Sequence, residues 1–140
     1  MTIGTTSQVT DVSVLYAWLN RKRRILSFTA NDATGQDAVH LWEKATRDTV
    51  HHFPIPQTFL AVYDFSNVRI ASVHLRAWHN HITTVSQYYS GHYAVVVSPR
   101  QFEPIVQVIN HQQTSALQNQ LKASVFSSRE KAIAYLEQYI

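Results

Sequence analysis

Four times along this chain, a short run of β-branched, aromatic and apolar residues gives way to a longer stretch whose apolar residues recur at helical spacing. That alternation constrains the fold more than any other feature, because strands separated by helices pair in parallel and cross over right-handedly. Residues 58–65 and 93–97 read as buried strands, and residues 123–126 as a shorter one. The first helical stripe is Ala38, Leu41, Trp42, Ala45, Thr49 and Phe53, ended by Pro54 and Pro56. The second runs over residues 72–89 with Leu75, Trp78, Ile82, Val85 and Tyr89. Phe102, Ile105, Val106 and Ile109 mark a third, and Ala132, Ile133, Leu136 and Ile140 a fourth.

Ahead of these units, residues 12–19 alternate, with Val12, Val14, Tyr16 and Trp18 on one face. A polar turn follows, and residues 24–30 read as a second strand that forms a hairpin with the first. The predicted order is ββαβαβαβα: an α/β fold with a mixed sheet of about five strands, a leading hairpin and then mostly parallel β-α units, with about four helices. Ser90-Gly91 is expected to end the second helix, with Gly at the position after the C-cap. Ser127 and Glu130 are spaced as a capping box for the last helix.

The chain has 140 residues, enough for one ordinary core. Its 45 % hydrophobic and 15 % charged content is that of a globular domain. Residues 1–10 are expected to be a flexible tail and residues 11–140 one domain. Cysteine is absent, which excludes disulfides and thiolate metal sites and fits a reducing compartment. No apolar run reaches the ~18 residues of a transmembrane helix and no signal peptide is visible, so the expectation is a soluble, cytoplasmic protein. A net charge of +3 is a small surplus and does not favour a nucleic-acid partner.

Two segments carry a family resemblance. Val62-Tyr63-Asp64-Phe65-Ser66-Asn67-Val68 is similar to the strand ending in Asp-Leu-Ser-Gly-Val of STAS domains, the family of anti-sigma factor antagonists. Phe126 with Ser127 to Leu136 resembles the family's last strand and its short "glutamate, x, alanine, x, x, x, leucine" helix. The order of elements resembles the STAS layout along nearly the whole chain. The resemblance implies a non-enzymatic, regulatory interaction module of bacterial signalling. Its protein partner would be an anti-sigma factor, a kinase-like protein or another regulator, and a homodimer is compatible with it. It also implies an interaction and switch loop formed by Asp64, Ser66, Asn67, Ser72 and His74. Where the family's phosphorylated loop reads Asp-Ser-Ser-Gly, this chain has Ser72-Val73-His74-Leu75. Ser72 therefore has two readings, a phosphate acceptor or an N-cap of the second helix.

Other candidates are weighed on the residues themselves. Eight histidines invite a metal, yet His79 and His81 are two apart, His74 and His81 are seven apart, and neither pair has the i, i+4 spacing of a helical zinc site. No metal and no cofactor are expected. No nucleophile elbow or Gly-rich phosphate loop is present, so an enzyme is not expected. Arg21-Lys22-Arg23-Arg24 reads as a solvated hairpin tip, with an anionic contact as its second reading. Trp42 and Trp78 are expected to face the sheet, and Tyr88 or Tyr89 to be exposed for a partner. A different class of function, a small-ligand or lipid-type carrier, would use a pocket at the C-terminal rim of the sheet. That rim would be lined by Asn31, Asp32, Asp64, Ser66, Ser98 and Pro99.

Overall fold

A computed structural model describes residues 14–19, 24–30, 35–51, 58–67, 72–113 and 120–140. Its elements run β1 (Val14–Trp18), β2 (Leu26–Ala30), α1 (Gly35–His51), β3 (Thr58–Asp64), α2 (Ser72–Ser86), β4 (Ser90–Val96), a 3₁₀ turn (Pro99–Gln101), α3 (Phe102–Gln113), β5 (Leu121–Phe126) and α4 (Arg129–Glu137). The strands lie side by side in chain order, β1 antiparallel to β2 and every later pair parallel. This is the α/β fold with a leading hairpin that the alternation predicts.

Strand order explains where the helices go. Right-handed crossovers between strands that always advance in one direction leave their helices on one face of the sheet. α1, α2 and α3 accordingly share one core with Leu26, Phe28, Phe59, Ala61, Tyr63, Tyr93 and Val95. α4, the last of the described elements, packs its Ala132 and Leu136 on the opposite face against Leu60, Val62, Ala94 and Val96. The period of two follows directly: Tyr63 points to the three-helix face, and its neighbours Val62 and Asp64 lie on the other. β3 is buried on both faces, which is why it reads as a continuous apolar run. Trp42 and Trp78 are inward, 2 % and 1 % exposed, while Tyr88 is 59 % exposed. No described helix is long and apolar enough to cross a membrane.

Three local expectations are corrected. α2 ends at Ser86, and Gly91 lies inside β4 rather than behind the helix. Its φ is +152°, and a Cβ there would collide with the carbonyl oxygen of Phe59 on β3. The glycine serves a close strand approach, not a helix stop. The cap of α4 is Ser128, whose Oγ accepts a hydrogen bond from the Lys131 amide at 3.3 Å. Ser127 is one residue too early, so the box with Glu130 does not form. α4 also ends at Glu137, which leaves Ile140 beyond the helix and 49 % exposed.

Candidate functional site

The inward stripes of α1 and α2 are not wholly apolar. Thr46 follows Trp42 by one turn, and His81 follows Trp78 by three residues. Both face the sheet beside Tyr63. His81 Nδ1 lies 2.8 Å from Thr46 Oγ1, and His81 Nε2 lies 2.7 Å from the Tyr63 hydroxyl. The Thr46 hydroxyl donates to the Trp42 carbonyl at 2.7 Å. Its oxygen is thus left to accept, so His81 Nδ1 carries the proton and donates to it. Nε2 is then bare and accepts from Tyr63 O–H. The result is a one-way chain, Tyr63 to His81 to Thr46 to the α1 backbone, which ties the sheet to both helices.

Burial fixes the charge state of this chain. His81 is 1 % exposed, and desolvation lowers its pKa from 6.5 to about 3. Burial, with the neighbouring Tyr93 phenol, pushes Tyr63 well above the ordinary tyrosine value. The imidazole is neutral and the phenol protonated, as the hydrogen-bond directions require. The rings of Phe28 and Trp42 lie 5.2 Å and 5.1 Å from that of His81. Nearby, the Tyr93 hydroxyl and the Trp78 indole N–H are buried with no hydrogen-bond partner among the described residues.

Two members of this chain, His81 and Thr46, line a groove of about 360 Å³ between α1 and α2, and Tyr63 lies buried beneath them. Trp42, Ala77 and His81 line its base, with Val39 and Thr46 on the α1 side. Its mouth carries Glu43 and Arg47 from α1 and Asn80 and Thr84 from α2.

A second network sits at the C-terminal end of β3. Asp64 Oδ1 accepts from the Ser66 amide at 2.9 Å and from the Ser66 hydroxyl at 2.5 Å. Its Oδ2 pairs with Arg129 Nη1 at 3.0 Å, and Arg129 Nη2 donates to Ser27 Oγ at 3.0 Å. Asp64 is only 9 % exposed, so the network neutralises a carboxylate held out of water. It also locks the exit of β3, with Asn67 exposed beyond it.

The structure therefore brings Asp64 and Ser66 together and places Asn67 beside them. Ser72 is the first residue within α2, and the side chains of Ser72 and His74 lie outside the described residues. Of the expected rim pocket, Asn31 and Asp32 lie outside the described residues as well. Ser98 precedes the 3₁₀ turn and accepts from Gln101 Nε2 at 3.3 Å, and Pro99 is exposed. The α1–α2 groove lies on the helix layer, away from that rim. His81 has both ring nitrogens in hydrogen bonds and is no free ligand. Among the described residues, no group of three His, Asp or Glu side chains gathers as a metal set.

Sequence reasoning missed the Thr46–His81–Tyr63 chain and the Arg129–Asp64 pair. A polar residue on an otherwise apolar inward stripe was the available signal for Thr46 and His81. No spacing rule links partners 35 or 65 residues apart. In comparisons with known proteins, no family model, no curated protein and no solved structure matches this chain.

Proposed function

We propose that this chain is a non-enzymatic regulatory interaction module, related in role to the anti-sigma factor antagonists its sequence resembles. Its contact surface is the turn at the exit of β3, residues 65–67. The observation that carries this reading is the Asp64 network. One carboxylate organises the turn through Ser66 and is itself held by Arg129 and Ser27. A loop fixed before binding loses less conformational entropy on meeting a partner, so pre-organisation supports recognition. All four contacts of Asp64 and Arg129 are structural, and they leave Asn67 presented to solvent.

The proposal stops short of a phospho-switch, because Val73, His74 and Leu75 replace the residues that follow the first position of the family's loop. The test is capture from extract of the source cell by the full chain and by Asn67→Arg. Asn67 is exposed, so the variant folds normally by circular dichroism. Capture by the wild-type chain with loss in Asn67→Arg supports the reading. Equal capture by both, or none by either, refutes it.

A further inference from the structure

α1 contains two acid–base pairs at the i, i+4 spacing. Lys44 and Asp48 are joined by an ion pair at 2.8 Å. Glu43 and Arg47 have the same spacing and the more favourable order, with the acid nearer the helix N-terminus. Yet no ion pair joins them among the described residues. Both side chains are exposed, and both stand at the mouth of the α1–α2 groove. Across from them, Asn80 and Thr84 are one turn apart on α2, and their side chains too form no hydrogen bond among the described residues.

The groove thus has one wall with a carboxylate and a guanidinium about one helical turn apart. Its other wall offers an amide and a hydroxyl. Its base is largely apolar, with Trp42 and Ala77. Its volume of about 360 Å³ falls at the small end of the ~300–1,000 Å³ range of small-molecule sites. The base is also rigid, because the Tyr63–His81–Thr46 chain fixes α1, α2 and β3 relative to one another. A polyanion would meet Glu43, and a polycation would meet Arg47. A ligand that carries one carboxylate and one ammonium close together satisfies both.

We infer that the groove between α1 and α2 is a binding site for a small zwitterion of the α-amino acid class. The ligand's carboxylate pairs with Arg47, its ammonium with Glu43, and its apolar side chain lies toward Trp42 and Ala77. This site is separate from the β3 loop and does not depend on the partner reading. Guanidinium–carboxylate pairing is bidentate and geometrically selective, which gives the carboxylate contact the larger share of discrimination.

The experiment is calorimetric titration of the full chain with L-leucine and L-phenylalanine, and with their N-acetyl and amide derivatives. The free amino acids are expected to bind saturably. Each derivative, lacking one charge, should bind about tenfold more weakly or worse, as loss of a charge-assisted hydrogen bond implies. Arg47→Gln should abolish the advantage of the free acids over the amides, and Glu43→Gln their advantage over the N-acetyl forms. Both residues are exposed, and unchanged circular dichroism confirms that each variant is folded. No saturable binding at millimolar concentration overturns the inference. So does binding that is indifferent to Arg47→Gln and Glu43→Gln.

Discussion

Lowering the pH from 7 to 5 tests the buried hydrogen-bond chain most directly. His81 has a folded-state pKa of about 3 against 6.5 for the exposed group. A depressed histidine pKa means that the unfolded chain takes up the proton first. The stabilising contribution of the neutral ring is therefore complete above pH 6.5 and is lost as the pH falls from 6.5 toward 3. At about 1.4 kcal/mol per pH unit, the loss is about 2 kcal/mol at pH 5 and approaches ~5 kcal/mol at pH 3. Protonation would also place an N–H on Nε2 opposite the Tyr63 hydroxyl, which now donates to it, so the phenol would have to turn. The assay is urea unfolding of the wild type and of His81→Asn at pH 7, 6 and 5, followed by tryptophan fluorescence. Asparagine keeps a donor and an acceptor but does not titrate, and groups common to both chains cancel in the difference. The variant should be less stable at pH 7 by about 1–3 kcal/mol, and the gap should shrink by about 2 kcal/mol at pH 5. A gap that stays constant between pH 7 and 5 would refute the neutral buried ring.

Gly91→Ala should destabilise by more than about 3 kcal/mol, because its Cβ meets the backbone of Phe59 at a backbone angle that side chains rarely adopt; denaturation within 1 kcal/mol of wild type would contradict this. Tyr93→Phe removes a buried hydroxyl that has no partner among the described residues, and should raise stability by about 1 kcal/mol; a loss of that size would reveal a bonded hydroxyl. In a double-mutant cycle, Asp64→Asn and Arg129→Ala should couple by about 1 kcal/mol, a value kept low because the Arg129 side chain is 36 % exposed. Purely additive effects would show that the ion pair does not organise the β3 exit.

The fold was legible because it rests on local periods. β3 and β4 declare themselves as apolar runs, and the stripes through Trp42 and Trp78 declare helices that must cover them. Where local signals compete, the sequence misleads. Gly91 comes two residues after Tyr89, the last apolar residue of the helical stripe, as a stop would, yet it lies inside β4 and closely approaches Phe59 on the neighbouring strand. Ser127 and Ser128 both fit a cap, and α4 uses the second, whose hydroxyl accepts from the Lys131 amide. The sites were harder to see, since each joins distant elements. The rim residues Asp64 and Ser66 could be named from the strand-end motif. Their clamp Arg129 could not, because it arrives from α4, 65 residues further along the chain. The groove was invisible for the same reason: Glu43 and Arg47 look like one more surface pair until α2 is set against them.

The hydrogen-bond chain beneath the groove and the network behind the β3 turn begin at adjacent residues of one strand. Tyr63 turns toward the α1–α2 groove, and Asp64 turns toward the β3 loop. Such proximity invites the idea that a ligand in the groove controls the loop. Control requires two arrangements whose balance the ligand shifts, and a ligand biases that balance only by its difference in affinity for the two. Both networks here are closed. Every hydrogen of the Tyr63–His81–Thr46 chain has a single acceptor, and both oxygens of Asp64 are bonded. Neither network contains an alternative partner to switch to. The sites should therefore act independently. Saturating L-leucine should leave capture of a partner through the Asn67 loop unchanged within about twofold, since any larger effect would need a coupling energy above ~0.4 kcal/mol. A larger shift, measured on the wild-type chain and absent in Arg47→Gln, would show that β3 or α2 has a second arrangement, and would turn two neighbouring sites into one regulated surface.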